Sequence, residues 1–219
     1  ADPNAQFSGT STVCVSASGN FTDCPAGAAR VTSSDYDAAL MDNDKCNVDG
    51  GKRRCLLRCG DTFTQSTVVS FAGGTSPGLL SCFGGTTGRA NVNSTVSMGT
   101  VHQGWTVSRL NWSNSTTGSS GVGLRHDVGN IPLYDNAITT VSGGNVWTPT
   151  TGSTHPDLVA IVGSTHTVNP ATGLAGYSQH FLRASRQLIL GNVFDANGEG
   201  EFNIRSIHTS LSAIQHNEL

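Results

Sequence analysis

Three groups of residues carry side chains suited to chemistry. Arg125-His126-Asp127 places a guanidinium, an imidazole and a carboxylate in a row. On a strand, Arg125 and Asp127 point one way and His126 the other. That pattern fits a sugar-binding or acid–base patch on an outer face and, more simply, a solvated strand end with a surface ion pair. His180 and Arg183 are followed one segment later by Arg205 and His208. Stacked segments would turn these four into a ridge of cations, although outward arginines that only keep a surface soluble need no ligand. Asp195-Ala-Asn197-Gly-Glu199 alternates oxygen ligands with small residues, as a hard cation such as Ca²⁺ requires. The spacing is not that of an EF-hand, and a polar turn accounts for it without metal. Trp105, Trp112 and Trp147 offer flat faces to sugar rings, with core packing an equal claim on the first two.

The elements that position these groups are clearest at the end of the chain, from Gln179 to Leu219. Arg186-Gln-Leu-Ile-Leu-Gly-Asn192-Val-Phe194 is followed by Ser210-Leu-Ser-Ala-Ile-Gln-His-Asn217-Glu-Leu219. Aligned on asparagines 25 residues apart, Ile189 meets Ile214 and Phe194 meets Leu219. Each segment is preceded by its own short apolar–Arg stretch, Phe181-Leu-Arg183 and Phe202-Asn-Ile-Arg205. A repeat of this length, made of short β-rich runs divided by Gly and Asn, predicts a β-solenoid. The asparagine is expected to take the left-handed backbone of a sharp bend and to hydrogen-bond its counterpart one coil away.

Composition sets the wider limits. The chain has 219 residues, 27 of them Gly, with only 12% charged and a net charge of −3. Such a chain suits an all-β extracellular protein and makes nucleic acid an improbable partner. No apolar run reaches the ~20 residues needed to span a bilayer. Six cysteines, Cys14, Cys24, Cys46, Cys55, Cys59 and Cys82, all fall in the first 82 residues. They point to disulfides in an oxidising compartment, and spacing alone leaves fifteen pairings open. A zinc site is the weaker reading, since Cys55-x-x-x-Cys59 is the one close pair and no histidine is near it. Asn20, Asn93, Asn111 and Asn114 form glycosylation sequons, which chance explains in a Ser/Thr-rich chain.

Along the chain, residues 1–32 read as an N-terminal extension closed by cysteines, and 33–219 as one solenoid domain. Ser33–Asp44 has the capping residues and the helical spacing of Tyr36, Ala39 and Leu40 expected of a short helix over the open end. Strands are expected in 54–63, 67–71, 78–85, 101–112, 121–127 and 158–162. The Gly-, Thr- and Pro-rich 128–156 is expected as a long excursion, with a second at 165–177. Leu219 ends a repeat strand with no polar cap, so either the chain is a fragment or another subunit covers this end. Head-to-tail stacking would then produce a homo-oligomer or fibre.

One stretch carries a family resemblance. A helix, then Leu56-Leu-Arg58-Cys-Gly-Asp-Thr-Phe63, a Gly-rich turn and Phe83-Gly-Gly85 resemble the opening coils of secreted right-handed parallel β-helix proteins of the pectin-lyase-like superfamily. Leu188-Ile-Leu-Gly-Asn-Val-Phe194 and Ile214-Gln-His-Asn-Glu-Leu219 are similar to its later coils. The resemblance covers roughly 33–219, with gaps. It implies a right-handed parallel β-helix, secretion and an acidic polysaccharide as ligand or substrate. In the family's lyases a basic side chain takes a proton beside a uronate carboxylate that Ca²⁺ or another cation neutralises. His180, Arg183, Arg205 and His208 would be the residues concerned, although an arginine is a poor base. Cys59 departs from the family pattern, which commonly has Arg there. With Cys82 on what should be the next coil, about 4.8 Å away, the two are in disulfide reach. The expected pairs are Cys14–Cys24, Cys46–Cys55 and Cys59–Cys82. Two functions follow as expectations: a polysaccharide-binding protein, lyase-like if it is an enzyme at all, or a structural, adhesive solenoid that assembles end to end.

Overall fold

The computed structural model describes residues 7, 9–41, 46, 51–69, 71, 77–85, 88–97, 99–101, 104–116, 122–124, 130–140, 146–147, 156–168, 180–195, 204–207 and 209–218. The chain begins with β1 (Thr12–Ser16) and β2 (Ala29–Thr32), then the helix α1 (Tyr36–Met41). It then winds through β3 (Arg54–Arg58) and β4 (Thr62–Gln65). The next circuit is β5 (Gly78–Phe83), β6 (Ala90–Ser94) and β7 (Gly99–Val101), followed by β8 (Trp105–Ser108), β9 (Leu110–Asn114) and β10 (Val122–Leu124). Then come β11 (Asn130–Tyr134), β12 (Ala137–Thr140) and β13 (Val146–Trp147), and β14 (Leu158–Val162), β15 (Thr165–Val168) and β16 (His180–Arg183). The last are β17 (Arg186–Leu190), β18 (Val193–Asp195), β19 (Ile204–Ile207) and β20 (Leu211–Gln215).

Among the described residues these strands form three sheets with parallel pairing throughout. A nine-stranded first sheet runs β2-β1-β3-β5-β8-β11-β14-β17-β20, a six-stranded second sheet β18-β15-β12-β9-β6-β4, and a five-stranded third sheet β19-β16-β13-β10-β7. Each circuit visits the three sheets in turn, so the fold is an all-β parallel solenoid. Alternate residues face inward and stack on their equivalents one coil away. In the first sheet Val13, Cys55, Leu80, Val107, Leu133, Ile161, Ile189 and Ile214 are consecutive register partners. In the second sheet Phe63, Val92, Trp112, Ile138, His166 and Phe194 do the same. All but Ile214, on the last strand, are buried. Trp105 and Trp112 lie fully inside, which removes them as sugar platforms. Gly78 lies opposite Trp105 because a Cβ there would sit 2.4 Å from the indole ring.

Residues 128–156 and 165–177 are corrected by these strands. The first stretch holds β11, β12 and β13, and the second opens on β15, so both carry regular coil strands. Pro132 and the Gly/Thr/Asn content hid the alternation of buried Ile131 and Leu133 with Pro132 and Tyr134. The leading residues also differ from a mere extension, because β1 pairs with β3 and continues the first sheet. In α1, the Asp35 carboxylate accepts the Ala38 N–H at 3.0 Å as an N-cap. Tyr36, Ala39 and Leu40 are buried on its inner face. Burial, with Asp37 beside it, pushes the Tyr36 hydroxyl far above its ordinary pKa.

The disulfides join Cys14 to Cys24, Cys46 to Cys55 and Cys59 to Cys82. The last spans neighbouring coils with a Cα separation of 5.1 Å. Asp61 holds the leader down by accepting from the hydroxyls of Ser16 (2.8 Å) and Ser18 (2.9 Å) and from the Ser18 N–H. Partial burial alone would raise its pKa; these donors outweigh it and hold the carboxylate below the usual range.

Candidate functional site

The site is built where the chain bends from the first sheet into the second. Each bend contains a residue with positive φ: Gly60 (85°), Arg109 (56°), Asp135 (52°), Gly163 (58°), Gly191 (60°) and His216 (54°). Between β5 and β6 the bend is longer and holds Gly84, Gly85 and Gly88, all with positive φ. The left-handed conformation therefore falls on the residue before Asn192 and Asn217, and not on the asparagines that were expected to take it. The asparagines have the other task. Asn192 Nδ2 donates to Asn217 Oδ1 at 2.9 Å and to the Ile161 carbonyl at 2.9 Å, while Asn192 Oδ1 accepts the Ser164 N–H at 2.9 Å. Ser164 Oγ accepts the Asn136 N–H at 3.2 Å, and Asn136 Oδ1 accepts the Leu110 N–H at 3.1 Å. One polar ladder thus locks the later corners from Asn217 back to Leu110.

Arg109 and Asp135 occupy the bend position that is Gly163 and Gly191 in the next two coils. Their side chains line a groove of about 500 Å³ with Gly88, Arg89, Asn91, Asn111 and Ala137. Arg89 donates to the Asp135 carboxylate at 2.8 Å and to its carbonyl at 3.0 Å. The pair is partly exposed, so it contributes on the order of 1 kcal/mol or less. Arg109 donates to the carbonyls of Gly85 (3.0 Å) and Gly88 (3.2 Å) and to Cys59 Sγ (3.5 Å). Among the described residues it has no carboxylate partner, so its charge is held in place by neutral acceptors. Asn91, Asn111 and Ala137 are successive register partners on the second sheet, with Asn111 Nδ2 donating to Asn91 Oδ1 at 2.9 Å. Beside them run Asn93, Ser113 and Thr139, and Ser113 Oγ donates to Asn93 Oδ1 at 3.2 Å. The groove thus offers fixed guanidiniums beside an ordered row of amides and hydroxyls.

The residues singled out from sequence fall elsewhere. Arg125, His126, Asp127, Asn197, Glu199 and His208 lie outside the described residues. His180 and Arg183 are on β16, and Arg205 is on β19, both in the third sheet. The register pairs Phe181 with Arg205 and Arg183 with Ile207, so the two arginines lie on neighbouring coils without being direct partners. Asp195 ends β18, opposite Thr167 on the second sheet. Among the described residues no three His, Cys, Asp or Glu side chains gather as a metal would need. Trp147 belongs to β13. Asn114 is buried with its amide on the Val96 carbonyl, which leaves no room for a glycan on that sequon. No helix among the described residues is long and apolar enough to cross a membrane.

Sequence reasoning passed over Arg89, Arg109, Asn91, Asn111 and Asp135 as site residues. The available signal was the corner itself: Asp135-Asn136 aligns with Gly191-Asn192 and His216-Asn217, so this corner carries a side chain in some coils and glycine in others. No protein-family model matches the chain, and comparison with curated proteins and with solved structures gives no match.

Proposed function

We propose that this protein is a secreted β-solenoid of the pectin-lyase-like kind that binds an acidic polysaccharide in the groove around Arg109. One observation carries the reading: Arg109 and Asp135 hold positive φ at bends where the next two coils use glycine. A non-glycine residue in this conformation costs on the order of 1 kcal/mol, and such strain gathers where a side chain is needed for function. Both strained side chains face one groove, together with Arg89.

The groove's chemistry selects the ligand class. A guanidinium forks onto a carboxylate through parallel N–H donors, so Arg109 suits the anchoring of a uronate. Asn91 and Asn111 carry donors and acceptors for sugar hydroxyls. Binding, and not bond cleavage, is what these groups can do. Three disulfides support an oxidising compartment. The test is calorimetric titration with polygalacturonate and alginate against a neutral glucan, with ultraviolet absorbance recorded for unsaturated products. Salt-sensitive binding of the polyuronates alone, without absorbance, is the expected result. Equal affinity for the neutral glucan rejects the reading, and growing absorbance replaces it with a lyase.

A further inference from the structure

We infer that the ligand is an oligosaccharide that crosses the corner between the first and second sheets, with Tyr134 as a second, stacking subsite. The inference rests on the reading of the Arg109 groove as a uronate site. A second groove, about 280 Å³, lies on the outer face of the first sheet and includes Leu79, Ser81, Phe83 and Tyr134. Arg109 lines both grooves, so the two meet at its side chain. Tyr134 lines the second groove and its chain neighbour Asp135 lines the first.

The two halves differ in chemistry in the way the two sides of a sugar differ. A pyranose has hydroxyls around its edge and a patch of C–H bonds on its face. The first groove supplies amides and charge for the edge. The second supplies an apolar floor from Leu79 and Phe83, with Tyr134 as a flat wall. Tyr134 is a large aromatic side chain left exposed, at 43%. Its neighbours in the fold explain why it is not structural filler. Leu133, beside it, points inward and is buried, while Tyr134 faces outward between Ser108 and Val162 in register. Arg109 borders this groove as well as the first, so the same anionic polymer suits both halves.

The experiment is titration of the folded protein with oligogalacturonides from one to six units, using wild type, Tyr134→Ala, Tyr134→Phe and Arg109→Gly. Wild-type affinity is expected to rise with length as the chain reaches the second groove. Tyr134→Ala should lose about tenfold for the longer oligomers and nothing for the monosaccharide, and Tyr134→Phe should restore the loss. An affinity that does not grow with length, or a Tyr134→Ala loss equal at every length, overturns the inference and leaves the uronate site standing. If no length binds wild type, the uronate site fails and this subsite with it. Circular dichroism of each variant separates a lost subsite from a lost fold.

Discussion

The bend at Arg109 and the bend at Gly191 make the same turn with different means. Both residues hold φ near 60°, and both donate a backbone N–H to a carbonyl of the following coil. At Gly191 the backbone needs no side chain, and the next residue, Asn192, is buried in the ladder. At Arg109 the next residue is buried Leu110, the bend is strained, and the freed side chain reaches over a groove. A solenoid can therefore be locked at some corners and equipped at others, because each coil repeats the backbone but not the side chain. The cross-coil disulfide Cys59–Cys82 lies under the equipped corner, with Arg109 donating to Cys59 Sγ. The Asp135 corner is both equipped and locked, because Asn136 joins the amide ladder, and the later corners are joined by that ladder alone.

The contrast yields ordered predictions. The largest effect concerns His166, which fills the later coils, stacked on Phe194 at 5.3 Å. Burial pushes its pKa from 6.5 down to about 3. Between those values the unfolded chain binds the extra proton, so folding stability falls as pH falls, by at most about 1.4 kcal/mol per pH unit. Replacing His166 by Leu should flatten that part of the pH profile in chemical denaturation. An unchanged slope would show that His166 binds its proton alike in the folded and unfolded chain, so that burial does not hold it neutral.

Cys59→Ser with Cys82→Ser should cost about 3 kcal/mol by loop entropy and weaken uronate binding, read by urea melts and calorimetry. A stability loss with intact binding would detach the disulfide from the equipped corner. Asn192→Ala removes a buried amide that both donates and accepts, and should cost about 2–3 kcal/mol without touching binding. If binding falls as well, the two kinds of corner are not independent. Smallest is Gly191→Ala. Nothing lies within 4 Å of the position a Cβ would take, so the expected cost of about 1 kcal/mol comes from the backbone alone. A neutral Gly191→Ala would mean that Arg109 carries no strain either.

The architecture was readable because solenoid stacking repeats one physical solution. Ile189 and Ile214 are direct register partners, and Asn192 bonds Asn217, as their spacing suggested. The helix was legible from Asp35 and the buried Tyr36, Ala39 and Leu40. The coil at 130–147 was not, because Pro132 and many small polar residues mask a strand whose inward side chains are only Ile131 and Leu133. The groove was the hardest part to read. Its residues come from three coils and are brought together by register, so no local motif joins Arg89, Arg109 and Asp135. The strain at Arg109 and Asp135 belongs to φ, and shows in sequence only as a missing glycine.

The most direct test is Arg109→Gly, measured for polygalacturonate affinity and thermal stability in the same preparation. Removing the guanidinium should weaken binding by about tenfold or more. Relief of the left-handed strain should offset the lost hydrogen bonds to Gly85 and Gly88 and leave Tm level or slightly higher. Unchanged affinity, or a large fall in Tm, would show that Arg109 belongs to the frame of the solenoid and not to a binding site.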